Sequence, residues 1–214
     1  HVKFFENKDT FELSSGEKLN EIKLAYETYG ELNNEKSNAI LVCHAISGDS
    51  HVARHDKQDL PGWWDIMVGP GKSIDTEKYF VICCNVIGGC SGSTGPNSIN
   101  PETGKEFGSS FPVITVEDMV NAQKLLIDHF GIEKLLCVTG GSMGGFQSMQ
   151  WAIQFPKEVE SVIPIATSPR LTNQALAFDI VGRNAIKTDL NFKKGDYYRS
   201  NEKPEDGLAI ARML

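Results

Sequence analysis

Apolar positions along this chain follow two patterns. Four short runs are almost continuously hydrophobic: Ala39 to His44, Phe80 to Asn85, Leu135 to Val138 and Val162 to Ile165. Runs of this length fit strands buried on both faces of a parallel sheet. The stretch from Thr10 to Gly30 instead alternates, most clearly at Ile22, Leu24, Tyr26 and Thr28, which predicts a half-exposed antiparallel hairpin at a sheet edge. Thr115 with Asp118 three residues on reads as a helix N-cap; Val116, Met119, Val120, Gln123, Leu126, Ile127 and Phe130 then keep helical spacing until Gly131. A second helix is predicted from about Gly144 to Phe155, ending before Pro156.

Strand, glycine turn, helix and strand in this order make a right-handed βαβ unit. The fold class is therefore α/β: a mostly parallel sheet with helices on both faces and antiparallel strands at the amino-terminal end. After Thr167 the character changes to polar helical spacing (Asn173 to Ile186), a loop rich in Lys, Gly, Asp and Tyr (Lys193 to Pro204), and a short helix from Asp206 toward Leu214. That stretch reads as an excursion from the sheet, so the division drawn is a core over residues 1–166 and an insertion over 167–214.

Composition narrows the partners. At 214 residues, 40% hydrophobic and 23% charged, the chain can bury a sizeable core and suits one domain, or one plus part of another. A net charge of -7 with no basic run argues against nucleic acid and anionic membranes. No apolar stretch approaches the ~18 residues of a membrane span. The amino terminus begins without Met, which suggests trimming or a tag, and it shows no targeting pattern, which points to the cytoplasm. Five cysteines are an odd number, four of them in or beside apolar runs, so a disulfide framework is not expected.

The strongest chemical signal is Gly140-Gly141-Ser142-Met143-Gly144-Gly145, between a predicted strand and a predicted helix. It matches the nucleophile elbow G-x-S-x-G in its required setting. The bare pattern is weak evidence, and a structural glycine turn or a dinucleotide loop would share it; the flanking strand and helix make it specific. Ser142 is the candidate nucleophile. The Met143 N–H, at the helix start, would donate to the oxyanion of a tetrahedral intermediate, and the Ile46 N–H, in the loop leaving the first buried strand, is the candidate second donor. His44 beside it reads as a satisfied core histidine. Gly88 to Pro96, at the carboxyl end of a buried strand, is expected to line the cleft.

Other signals are set aside. Gly71-Lys72-Ser73 ends like a phosphate loop, but the motif's first glycine would fall on Ile66. His51 and His55 have the i,i+4 spacing of a metal pair, yet no glutamate lies between them and the segment reads as polar loop, so no metal site is expected. In enzymes with such an elbow the acid and the histidine follow the serine, whereas His1, His44, His51, His55 and His129 all precede it. The expectation is that the base lies outside these residues, in a longer enzyme.

The chain resembles the homoserine O-acetyltransferase family of α/β-hydrolase-fold acyltransferases. The likeness is carried by Leu24-Ala25-Tyr26-Glu27-Thr28-Tyr29-Gly30, Cys43-His44-Ala45 with Gly48-Asp49-Ser50-His51, Gly62-Trp63-Trp64-Asp65, Gly69-Pro70-Gly71-Lys72, Asn85 through Pro96, Ser98-Ile99-Asn100-Pro101, Gly140 to Gly145, and Ala209-Ile210-Ala211-Arg212-Met213. Ile46 and Phe146 replace the family's usual Leu and Met. The resemblance implies a ping-pong transfer: Ser142 takes an acyl group from an acyl-CoA, most simply acetyl-CoA as co-substrate with no tightly bound cofactor, and a hydroxy amino acid, homoserine, collects it in methionine biosynthesis. It implies that Arg212 binds the amino acid, that residues after 167 begin a helical lid, that the rest of the lid and core lie beyond Leu214, and that the enzyme is a homodimer. Acetyl against succinyl, and homoserine against serine, stay open at this point, as do an esterase or thioesterase of the same fold and, were 214 residues the natural length, a non-catalytic binding module.

Overall fold

The computed structural model describes residues 1–214, which divide into two compact units, His1–Thr94 with Pro112–Ser168, and Gly95–Phe111 with Pro169–Leu214. The first is built on a six-stranded sheet. Its strands are β1 (Lys3–Asn7), β2 (Ile22–Tyr29), β3 (Ala39–Cys43), β4 (Phe80–Cys84), β5 (Cys137–Gly141) and β6 (Val162–Ile165), and they lie in the order β1-β2-β4-β3-β5-β6. β1 and β4 both pair antiparallel with β2. β3, β4, β5 and β6 run parallel.

β3 and β4 are buried at every position, as their unbroken apolar runs require. Each fully covered aliphatic residue here, Leu41 or Ile82 for example, is worth roughly 1.5–3 kcal/mol of burial. Val42, Val81, Cys83, Val52 and Val68 form one apolar cluster with Tyr29, against which Trp64 and Met67 pack. Cys43, Cys83, Cys84 and Cys137 are buried, Cys90 is exposed, and all five are free thiols.

Two expectations change. The alternation over Thr10–Gly30 predicts a sheet edge, but β2 lies between β1 and β4 with Leu24, Ala25, Tyr26 and Glu27 all buried; β1 takes the edge, and a small hairpin of Phe11–Glu12 with Lys18–Leu19 accounts for the start of the pattern. The strand predicted at Leu135–Val138 is displaced to Cys137–Gly141, because Gly140 pairs with Cys43 and Gly141 with Ile165, while Leu135 makes only an isolated bridge to Val159. β6 is the last strand of the sheet within residues 1–214 and is mostly exposed there.

The helices follow local signals. α1 (Val116–His129) starts from a reciprocal capping box, Thr115 Oγ1 accepting from the Asp118 N–H at 3.2 Å and the Asp118 carboxylate accepting from the Thr115 N–H at 2.9 Å. Such a cap is worth about 1 kcal/mol. Asp118 also accepts from the Ser14 N–H at 2.7 Å, which ties the amino-terminal hairpin to the helix start. α2 (Met143–Gln154) ends at Phe155, before Pro156.

In the second unit, α3 (Asn173–Thr188) packs on α4 (Glu205–Ala211). A Cβ on Gly207 would press on the Ala185 carbonyl, so the two backbones meet closely there. Asp189 closes the intervening loop by accepting from the N–H groups of Asn191 and Gly207, both at 2.8 Å. Gly95–Phe111 is joined to this unit by Asp196, which accepts from the Ser109 N–H at 3.2 Å, and by an Arg199–Glu106 ion pair at 3.0 Å. No helix is long and apolar enough to cross a membrane.

Candidate active site

β5 runs straight into α2 through Ser142, whose backbone sits at φ 55°, ψ −117°. Positive φ in a serine is a strained conformation, costing about 1–3 kcal/mol, and it persists only where the surroundings impose it. The glycines show what does. A Cβ on Gly140 or on Gly144 would collide with the Cys43 carbonyl at the end of β3, so β3, β5 and the first turn of α2 approach one another at hydrogen-only spacing. The Ser142 N–H donates to the Ile165 carbonyl at 3.0 Å, and the Ser142 carbonyl accepts from Gly145 and Phe146, which starts the helix. The turn thus pins both ends of Ser142 and leaves the residue exposed.

Met143 is the first residue of α2, so its N–H has no carbonyl within the helix to bond and lies at the positive end of the helix dipole. The loop leaving β3 begins against the same turn: the Gln147 side chain donates to the carbonyls of His44 (3.4 Å) and Met143 (3.3 Å). Residues 45–48 form a turn closed by the Gly48 N–H on the Ala45 carbonyl at 2.9 Å, and Ile46 holds its second position, where the N–H plays no part in closing the turn. Ile46 is 82% exposed.

Behind the elbow lies a buried polar chain. Trp151 Nε1 donates to Gln123 Oε1 at 2.8 Å, and Gln123 Nε2 donates to Gln147 Oε1 at 2.6 Å. It links α1 to α2 and, through Gln147, to the start of the loop. Nothing in the spacing of Gln123 or Gln147 marks them out, since both occupy positions expected of core residues.

His44 is a satisfied core histidine, as its place in an apolar run suggests. Its Nδ1–H donates to the Ala45 carbonyl at 2.7 Å and its Nε2 accepts from the Val86 N–H at 3.1 Å. Burial pulls its pKa below the ordinary value, so it is neutral and both nitrogens are committed.

Residues 38–207 match the family model described as alpha/beta hydrolase fold. The chain belongs to the alpha/beta hydrolase fold family. Within it, a homoserine O-acetyltransferase of Methanohalobium evestigatum is 57% identical over 214 residues, covering 100% of this chain and 44% of that protein. The solved homoserine O-acetyltransferase from Bacillus anthracis superposes with a TM-score of 0.90 at 38% identity, over 99% of this chain and 58% of that one. An acetylester hydrolase from Corynebacterium glutamicum superposes at 0.85 with 32% identity, over 100% and 57%. The chain spans about half the length of the curated relatives it matches.

The other expected positions of this hydrolase-fold chain fall as follows. Arg212 is the C-cap residue of α4, in the second unit, with its side chain exposed. Of the glycine-rich loop, Ser93 and Thr94 are buried and stitched to β2: Ser93 Oγ accepts from the Ala25 N–H at 3.0 Å and Thr94 Oγ1 from the Lys23 N–H at 2.8 Å.

The chain also holds a cluster that spacing alone did not reveal. His51 and His55, set aside because no glutamate lies between them and the segment reads as polar loop, meet one supplied from β2: Glu27 Oε2 accepts from His51 Nδ1 at 3.0 Å, His55 Nε2 at 2.7 Å and Tyr29 Oη at 2.7 Å. Glu27 is 1% exposed. Burial pushes its carboxyl pKa up, but the hydrogen bonds from His51, Tyr29 and His55 outweigh that and leave it below its usual value. The one available signal was a glutamate inside an otherwise buried strand.

Proposed function

We propose that this chain carries the nucleophile and oxyanion hole of an acyl-CoA:L-homoserine O-acetyltransferase that works by a ping-pong mechanism in methionine biosynthesis. The observation that carries the proposal is Ser142 held at φ 55° on a strand-to-helix elbow, and the naming of the relatives at 57% identity supports the acetyl donor and homoserine acceptor.

In the first half-reaction Ser142 Oγ adds to the thioester carbonyl of acetyl-CoA and gives its proton to the general base. The oxyanion collects the Met143 and Ile46 N–H groups, preset dipoles of the kind that contribute about 3–4 kcal/mol each to a barrier. The C–S bond then breaks and CoA leaves as the thiol with that proton. In the second half the homoserine hydroxyl adds to the acetyl-serine, its proton passes to the base and on to Ser142 Oγ, and O-acetylhomoserine departs. All five histidines of residues 1–214 precede Ser142, and His44 is spent on Ala45 and Val86, so the proposal takes the base and its acid partner from elsewhere in the full-length enzyme.

Arg212 is proposed to clamp the homoserine carboxylate, a task for which a guanidinium fork is suited. Residues 167–214 are proposed as the start of a lid that excludes water, so that homoserine and not water takes the acetyl group. The resemblance also supports a cytoplasmic homodimer. Water as acceptor is the competing reading, supported by the likeness to the acetylester hydrolase. Steady-state kinetics on the full-length protein decide between them: parallel double-reciprocal lines for acetyl-CoA and homoserine support the transferase, whereas acetate release unaffected by homoserine would refute it.

A further inference from the structure

We propose that Glu27, His51 and His55 form a binding site for one divalent transition-metal ion of the zinc class, which fastens the loop after β3 onto β2. This goes beyond the acyl-transfer reading and does not rest on it. The side chains come from two segments, Glu27 from β2 and both histidines from the loop after β3, yet one ligand atom from each lies within 4.8 Å of the others. Two imidazoles and one carboxylate are the donor set such ions take in proteins.

The hydrogen-bond geometry asks for a cation at this point. His51 Nε2 is 2.9 Å from the Leu60 carbonyl, which can only accept, so that nitrogen carries a proton. Its Nδ1 is 3.0 Å from the Glu27 carboxylate, another acceptor. A neutral imidazole has one N–H for these two acceptors, so either a second proton or a metal must stand between Nδ1 and the carboxylate. A metal takes the Nδ1 lone pair and leaves the Nε2–H on a backbone carbonyl, the arrangement that orients metal-bound histidines. The other ligands are held in kind. His55 is stacked between the rings of Tyr29 and His1, with centroids 4.4 and 4.1 Å away, and Tyr29 Oη holds Glu27.

Bonds of about 2.0–2.1 Å set tetrahedral ligand atoms about 3.3 Å apart, so the ion would replace the two N–H···O bonds, move the carboxylate about half an ångström from each imidazole, and draw the two ligating nitrogens together by as much as about 1.5 Å. Both histidines are only partly buried, at 25% and 18% side-chain exposure, which leaves a path for the ion and a place for water as a fourth ligand.

The test uses full-length protein in a Cys90→Ser background, which removes the exposed thiol, stripped with a chelator and then titrated with cobalt(II) and zinc(II). The proposal expects one cobalt(II) per chain with visible ligand-field bands, displacement by zinc(II), and a higher melting temperature with zinc(II). His51→Asn and His55→Asn, each checked for folding by circular dichroism, should weaken cobalt(II) binding at least about 100-fold, more than loss of an outer-sphere partner costs. Should one variant fail to fold, the other and the parent carry the test. No saturable uptake by the parent, or uptake unchanged in a folded variant, would overturn the site and leave Glu27 and His51 joined by a proton alone.

Discussion

Gln123→Leu tests whether the buried polar chain behind the elbow holds it in place. The substitution keeps the volume but removes the acceptor of Trp151 Nε1, at 2.8 Å, and the donor to Gln147 Oε1, at 2.6 Å. Trp151 and Gln147 are both 0% exposed, so water cannot replace either bond. Each orphaned group costs roughly 1–3 kcal/mol, so the expected loss is about 2–6 kcal/mol, a large part of an ordinary stability of ~5–15 kcal/mol. Urea unfolding should show a lower midpoint with an unchanged slope. Trp151→Phe in the same background removes one of the two orphans, so the double variant should be more stable than the sum of the single losses by about 1 kcal/mol or more. A loss below about 0.5 kcal/mol in the single variant, or strict additivity, would refute the reasoning. Because Gln147 also touches the carbonyls of Met143 and His44, kcat should fall with the stability.

Gly144→Ala should cost more than about 3 kcal/mol or prevent folding, since its Cβ would meet the Cys43 carbonyl; a thermal melt near the parent's would contradict the hydrogen-only spacing. His44, buried and neutral, has a folded pKa below its unfolded 6.5, so the stability it contributes is present above pH 6.5 and is lost as pH falls through the folded value. NMR titration of its imidazole should give a midpoint under 6.5, and one at or above that value would reverse the sign. Arg212→Lys should raise the homoserine KM with little change in kcat, because an ammonium cannot reproduce a two-point clamp; an unchanged KM would remove Arg212 from the site.

What was legible in the chain was what is local. The Thr115–Asp118 cap, the helix stops at Gly131 and Pro156, and the glycines and helix around Ser142 each depend on neighbours within a few residues, and each stands where the pattern put it; the strand before Ser142 is present but shifted toward the serine. Burial was read less well because it depends on what covers a strand. β2 alternates like an edge yet lies inside the sheet, since β1 flanks it and the loop bearing His51 and His55 brings its side chains to Glu27. The Glu27 cluster was missed for the same reason: its carboxylate is 24 residues from His51, and only the pairing of β2 with β4 and of β4 with β3 makes them neighbours. The strain at Ser142 was foreseeable in kind from the glycines at 140 and 144.

The central claim is that Ser142 accepts the acetyl group. It is tested most directly by intact mass of the full-length protein, quenched soon after mixing with acetyl-CoA and no acceptor, and by peptide mapping of the adduct. A gain of about 42 Da located on Ser142 is expected, with its discharge when homoserine is added and no gain in a folded Ser142→Ala variant. An adduct on another residue, or normal turnover by Ser142→Ala, would contradict it.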